Sequence, residues 1–247
     1  MRYFQADGIG RKLKSIYAKM INTLYPKRCA ICDNALLGSE KGACDKCKER
    51  IVYIKQPICL KCGRPMTHEG EICEECTVTK HVFAAGRSVF SYDFISESIY
   101  RFKYLNRAEY GEYFGYEMVK AQGEFIAQIK PDAFIPVPLH KKRYVKRGYN
   151  QAALLAYEMS RLTGVPVMED FLKRSKDTVP QKKFNKKQRF INMKKAFIVG
   201  KNGVKLNKVI VVDDIFTTGS TIDSLSLELK KAGVKDIYFI TLTSAGT

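Results

Sequence analysis

The chain has no stretch of about 18 uncharged apolar residues, the length that a membrane-crossing helix requires. Its first residues, MRYFQADGIGRKLKS, lack the apolar centre of a secretory signal. Both absences lead to the expectation of a cytoplasmic protein. Acidic residues are scarce as well: 25 Asp and Glu stand against 43 Lys and Arg in 247 residues, a formal net charge of +18. Such a surplus favours polyanions, either nucleic acid or a phosphorylated small molecule, through counterion release and long-range attraction. The plainer reading of dispersed lysines is solubility alone.

What the chain concentrates in one place is cysteine. Eight cysteines form four C-x-x-C pairs: Cys29/Cys32, Cys44/Cys47, Cys59/Cys62 and Cys73/Cys76. In a chain expected to remain in a reducing compartment this pattern speaks against disulfides. Each short turn presents two thiolates, and two turns complete a closed tetrahedral zinc site with bonds of about 2.3 Å. Two structural Zn2+ ions are therefore expected, which lowers the formal charge from +18 to +14. An iron–sulfur cluster or redox dithiol is the competing reading, but four like pairs argue for two equivalent sites. His68 and His81 are not needed as ligands. Spacing allows two pairings, neighbour with neighbour or first with third.

The rest of the chain divides around this block. Residues 1–28 carry a basic amphipathic helix, with Ile9, Leu13, Ile16, Tyr17, Met20, Ile21 and Leu24 at helical spacing over 9–24. That helix is open to two readings, docking on the chain's own core or lying on the inner face of a membrane. GIGRKLKS within it follows no strand and is discarded as a phosphate loop. Residues 29–80 form a small module too poor in apolar residues to fold without metal. Residues 81–247 alternate strands and helices: HVFAAGRSVFSY as strand or hairpin, helices over 95–104 and 108–129, and a strand at 133–139. A helix over 149–162 and a short strand near 165–168 follow, then an irregular basic stretch over 173–195. AFIVG, a strand at 209–212, a helix over 219–232 and a final strand DIYFITLT complete the pattern. This alternation predicts a parallel, doubly wound α/β sheet with its ligand at the carboxyl ends of the strands.

The stretch VIVVDDIFTTGST, residues 209–221, carries the chemistry. A continuous β-branched run reads as a buried parallel strand, delivering Asp213 and Asp214 to its end. Thr217, Thr218, Gly219, Ser220 and Thr221 then lead into a helix whose first N–H groups attract phosphate. Two carboxylates beside a bare phosphate would repel it. The conflict disappears for a ligand with hydroxyls next to its phosphate, since carboxylates accept hydrogen bonds from a ribose diol and orient a Mg2+ ion.

This order of residue types resembles the signature of type I phosphoribosyltransferases. The resemblance implies that Asp213 and Asp214 contact the ribose hydroxyls of phosphoribosyl pyrophosphate (PRPP) and that 217–221 hold its 5-phosphate. Two further runs are similar to the ComF family, phosphoribosyltransferase-like proteins of bacterial natural competence. The first is Val137, Pro138, Leu139, Arg143, Arg147, Gly148, Asn150 and Gln151. The second is Arg174, Thr178, Gln181, Arg189, Asn192 and Phe197, and Lys103–Tyr104 adds to them. The implied fold is a type I phosphoribosyltransferase-like parallel sheet flanked by helices, with a small amino-terminal double zinc-ribbon domain. The ribbon resemblance favours pairing of neighbouring C-x-x-C pairs.

The resemblance also implies roles. Pro138, Leu139, Lys141, Arg143 and Arg147 form the pyrophosphate side, and Asp213, Asp214, Arg147 and Lys141 carry catalysis, with Mg2+ and the Lys/Arg stabilising the departing anion. The stretch 174–195 becomes a closing lid, whose ten Lys/Arg against one Asp between 173 and 195 repel one another until an anion arrives. Lys142, Lys146, Lys182, Lys183, Lys186, Lys187 and Arg189 are the candidate contacts to single-stranded DNA. Tyr144, Tyr149, Phe184 and Phe190 among them read either as stacking platforms or as packed side chains. His140 reads as a proton carrier or a structural residue. The leading functional expectation is a PRPP-binding competence protein that handles incoming single-stranded DNA alongside a helicase or other DNA-processing proteins. Two alternatives stand beside it: a metabolic phosphoribosyltransferase with an unidentified base or amine acceptor, and a non-catalytic zinc-ribbon scaffold.

Overall fold

The computed structural model describes residues 26–36, 40–67, 70–174, 197–200 and 204–245. The helix expected over 9–24, His68, and everything expected of 175–196, including Thr178, Gln181, Lys182, Lys183, Phe184, Lys186, Lys187, Arg189, Phe190 and Asn192, lie outside them. The elements are α1 (Asp45–Lys48), α2 (Glu74–Val78), β1 (Ala85–Phe90), α3 (Tyr92–Tyr104), α4 (Tyr110–Ile129) and β2 (Ala133–Pro136). They continue with α5 (Lys141–Arg147), α6 (Gln151–Thr163), β3 (Leu172–Arg174), β4 (Phe197–Val199), β5 (Lys208–Phe216), α7 (Ser220–Lys231) and β6 (Asp236–Ser244).

Four strands make one parallel sheet in the order β1-β6-β5-β2, as the alternating pattern predicts. Val209–Val212 of β5 are apolar without a break because both faces of the strand are covered there. Ile210 and Val212 point into one core with Phe134, Ile240, Ile99, Phe114 and Leu155, from β2, β6, α3, α4 and α6. Val209 and Val211 point into the other with Ile135, Phe239, Leu225 and Phe197, from β2, β6, α7 and β4. Helices therefore flank both faces of the sheet.

The cysteine module straddles the sheet's edge. Cys29, Ala30 and Ala43 join the first core, while Cys59, Cys62 and Met66 join the second. Between them the chain crosses β1 as an antiparallel neighbour: Ile54 N–H donates to the Val89 carbonyl at 2.8 Å and Ser91 N–H to the Val52 carbonyl at 2.9 Å. An edge that would otherwise present unpaired backbone groups is thereby closed by the module itself.

Three local readings change. The short strand expected at 165–168 is a single parallel bridge from Val167 to Phe134, since β2 has only four residues to offer a neighbour. AFIVG supplies β4, but β4 pairs antiparallel with β3 in a separate hairpin rather than in the main sheet, and 173–174 belong to β3 rather than to an irregular stretch. The basic run after β2, read as a loop, is the helix α5, started by His140 and ended by Gly148 at a φ of 79°.

Gly86 in β1 lies against the ring of buried Phe239, where an added Cβ would come within 2.0 Å. Gly86→Ala is expected to lower stability by about 1–3 kcal/mol through overpacking. Urea unfolding checks this, and Phe239→Leu in the same chain is expected to recover part of the loss.

Candidate functional site

β2 stops at Pro136, opposite Val212, while β5 runs on to Phe216. Beyond that point Asp213 and Asp214 have β6 on one side and, among the described residues, no strand on the other. The space left there is a cavity of about 390 Å³ lined by Val137, Pro138 and Leu139 on the β2 side and by Asp213, Asp214 and Thr221 on the β5 side. Its third wall is cationic: Lys103 from α3, Arg143, Lys146 and Arg147 from α5, and Arg174 from β3.

The carboxylates are treated differently by their surroundings. Asp214 Oδ1 is 2.7 Å from Lys103 Nζ, and the Asp214 N–H donates to Asp213 Oδ1 at 2.9 Å. Asp213 is partly exposed where it lines the cavity. Burial raises its pKa first and the neighbouring Asp214 charge adds to this, against the pull of the amide, Lys103 and Arg174, leaving it at about 7. Arg174 is pushed the opposite way, below its ordinary value, by burial and then by Arg143, with Asp213 opposing. Its Nε is buried without a hydrogen-bond partner. A carboxylate that is harder to ionise than usual and a guanidinium whose Nε has no acceptor among the described residues thus line one space.

α5 explains how the cations converge. In KKRYVKR, Arg143, Lys146 and Arg147 stand three and four apart and share a face, the face toward the cavity. Lys141 and Lys142 lie exposed in its first turn and do not line the cavity. His140 Nδ1 accepts the Lys142 N–H at 3.2 Å, so this histidine caps the helix. Arg147 Nη1 donates to Gln151 Oε1 at 2.9 Å, and its guanidinium lies 4.9 Å from the centre of the Tyr104 ring. Tyr149 is packed, its hydroxyl donating to the Phe102 carbonyl at 2.6 Å, whereas Tyr144 is exposed.

Past β5, Gly219 turns the chain into α7 with a φ of 73°, and a Cβ there would sit 2.8 Å from His81 Cε1. Only glycine satisfies both conditions. Of the loop 217–221 only Thr221 lines the cavity, whereas Thr217, Thr218, Gly219 and Ser220 do not; Thr218 Oγ1 donates to Ser220 Oγ at 3.0 Å. Lys103, Tyr104, Asn150, Gln151, Ala152 and Arg174 complete the lining. Arg174 stands in the basic stretch that begins at 173, whereas for Lys103, Tyr104, Asn150 and Gln151 the signal was that each stands in a run resembling the ComF family.

The eight thiols form two clusters, Cys29/Cys32/Cys44/Cys47 and Cys59/Cys62/Cys73/Cys76, with all four sulfurs of each within 4.8 Å of one another. Neighbouring pairs are therefore partners. A zinc tetrahedron with bonds of about 2.3 Å has edges of about 3.8 Å, and Cys32–Cys44 and Cys62–Cys73 stand 3.9 Å and 3.8 Å apart. The donor set fits two structural zinc ions. The clusters repeat one design: Cys44 N–H donates to Cys29 Sγ and Cys73 N–H to Cys59 Sγ, both at 3.3 Å. Left-handed residues Asp33 and Gly63, at φ 62° and 71°, end equivalent turns. Burial raises Cys59, but the N–H groups of Cys62, Cys73 and Lys61 outweigh it and bring the thiol down to about 7.

A family model described as a double zinc ribbon domain matches residues 20–77. Competence protein F of Haemophilus influenzae is 33% identical over 230 residues, covering 88% of this chain and 97% of that protein. The chain belongs to the ComF family. A second relative, the DNA utilization protein YhgH of Shigella flexneri, is 28% identical over 86% of this chain and 94% of its own. Among solved structures, a purine phosphoribosyltransferase from Pyrococcus horikoshii Ot3 aligns with 54% of this chain and 84% of its own at 16% identity, with a TM-score of 0.33. That superposition is loose and adds nothing to the strand order of this ComF protein.

The purified ComF chain is expected to carry two zinc ions, and Cys59→Ser one. Because the second cluster shares a core with the sheet, losing it is expected to lower the thermal midpoint by about 10 °C or more. Metal analysis with a thermal melt checks both.

Proposed function

We propose that this chain binds PRPP with Mg2+ in the β5 cavity and acts on or with incoming single-stranded DNA in the cytoplasm. One observation carries the reading: the Asp213–Asp214 pair has a glycine-turned helix start on one side and a cluster of Lys and Arg on the other. The 5-phosphate belongs to the amides and hydroxyls of 217–221, and the ribose diol to the carboxylates. The pyrophosphate belongs to Arg143, Lys146, Arg147 and Arg174. An open cavity with two carboxylates offers the oxygen donors that Mg2+ requires, and the ion would supply charge neutralisation to the leaving pyrophosphate. The cations on α5 and β3 stabilise the same developing negative charge as the ribosyl C1–O bond lengthens.

The DNA half of the reading is supported by relatives named for competence and for DNA utilization. It is also supported by the +18 formal charge and by exposed Lys142 beside exposed Tyr144 on α5. Lys146 takes part at both places, since it lines the cavity from an exposed helix.

Titration calorimetry tests the sugar site directly. Asp213→Asn combined with Asp214→Asn is expected to weaken Mg–PRPP binding by about 100-fold or more, from the loss of two charge-assisted contacts; unchanged affinity overturns the reading. Asp213 must be ionised to serve, and its folded pKa of about 7 lies above the unfolded value. Stability contributed by its protonated form is therefore lost as pH rises through about 7, while PRPP affinity is expected to rise about tenfold between pH 6 and 8. Asp213→Asn is expected to flatten both profiles. For single-stranded DNA, the logarithm of affinity is expected to fall with the logarithm of salt, with the slope about 1 smaller in Lys142→Ala. Anisotropy titration reads that slope, and salt-independent binding contradicts phosphate contact.

A further inference from the structure

The second ribbon reaches the 217–221 loop through one side chain. Arg64 follows Cys62 and Gly63, and Gly63 is held in its left-handed turn so tightly that a Cβ would come within 2.4 Å of the Gly86 carbonyl oxygen. Arg64 itself is 8% exposed. Its Nη1 donates to Glu75 Oε2 at 2.5 Å, and Glu75 sits between Cys73 and Cys76. Its Nη2 donates to the Thr217 carbonyl at 2.6 Å and to the Ala245 carbonyl at 3.5 Å. The guanidinium also lies 5.9 Å from the centre of the Phe216 ring. One planar cation therefore ties both C-x-x-C turns of the second cluster to the first residue of the loop.

A second tie comes from the chain just after the ribbon. His81 Nδ1 donates to Asp223 Oδ2 at 2.7 Å and Val82 N–H to Asp223 Oδ1 at 2.8 Å, pinning the first turn of α7. The His81 ring is also the surface that excludes a Cβ at Gly219. The first ribbon behaves differently. Its Asp33 takes a bidentate pair from Arg107, at 2.7 and 3.0 Å, and its Ile31 carbonyl accepts from Arg101, so it grips α3 and the approach to α4 instead. The two clusters thus serve different walls of the cavity.

We propose that Arg64 is a positioning residue that transmits the geometry of the Cys59/Cys62/Cys73/Cys76 cluster to the 217–221 loop, so that the metal there sets the loop for its anion. The anion half rests on the PRPP reading above; the mechanical half does not. Arginine suits the task because its rigid fork reaches a carboxylate and a carbonyl at once, which a lysine cannot reproduce. Linkage requires the reciprocal effect on affinity: an anion held by the loop tightens that one cluster's hold on its metal, and slower release of that ion is the expected sign of it.

The test uses the full-length, zinc-loaded chain and three variants: Arg64→Ala, Arg64→Lys and Arg107→Ala. Hydrogen exchange of the 215–224 peptide needs no ligand. Arg64→Ala is expected to speed it by about tenfold or more, through the loss of a charged donor to the Thr217 carbonyl. Arg64→Lys is expected to fall between, and Arg107→Ala to leave that peptide unchanged while loosening 26–36. Zinc release to a chromogenic chelator is the second measurement. Mg–PRPP is expected to slow one of the two ions in the wild-type chain and neither in Arg64→Ala. Equal exchange over 215–224 in wild type and Arg64→Ala, with two zinc ions in each, overturns the proposal. If Arg64→Ala does not keep its zinc, absence of any increase in Arg64→Lys overturns it equally. Faster exchange in Arg64→Ala without any Mg–PRPP binding to wild type supports the brace and defeats the phosphate reading instead.

Discussion

Two carboxylates on adjacent residues of one strand repel each other, and burial makes Asp213 the harder to ionise. The chain meets this by splitting the pair. Lys103, arriving from α3, neutralises Asp214 directly, while Asp213 is left to titrate near neutrality. Everything around the cavity serves that division: β2 ends early enough to expose the pair, α5 turns a basic face toward it, and Arg174 is held beside it without a full set of acceptors. A site with unsatisfied charge of both signs stores the attraction that a ligand of mixed character, alcohol at one end and phosphate at the other, can release.

The cysteines of the two ribbons, Cys32 apart, belong to or pack against the two cores that sandwich the sheet. A small module with few apolar residues cannot supply its own core, so metal fixes its turns and the sheet supplies the hydrophobic contact. The duplicated design, with equivalent N–H···S bonds and equivalent left-handed turns, places one copy on each face. Ile31 and Asp33 then meet α3 and the residues leading into α4, while Arg64 meets the loop after β5.

Strong local signals were legible in the sequence. The β-branched run of β5 announced a strand buried on both faces, the acidic pair announced the end of that strand that borders the cavity, and four C-x-x-C pairs announced two four-thiol clusters. The pairing of neighbours followed from ribbon resemblance and is what the sulfurs show. Less legible was anything that depends on where distant elements meet. α5 was hidden because seven residues with five cations look like a solvated loop, and only the capping by His140 and Gly148 makes them a helix. β4 carries an ordinary apolar strand pattern, which says nothing about which partner it takes. Apart from the family resemblance, nothing local sets Lys103 or Arg174 apart from the other cations of the chain; they matter because the fold brings them beside Asp213 and Asp214. Tyr149, open to stacking or packing, is packed, its hydroxyl committed to a backbone carbonyl.

The stretch from Val52 to Ile54, laid antiparallel along β1, has a mechanical meaning. It is the strap between the two ribbons, and it is stitched to the sheet rather than slung across a gap. A force applied to the ribbons in opposite directions is borne by those stitches in shear, and separating the ribbons from the sheet means unpicking a border rather than flexing a hinge. The amino-terminal module is therefore a fixed handle, through which a load is passed straight to the strands beneath.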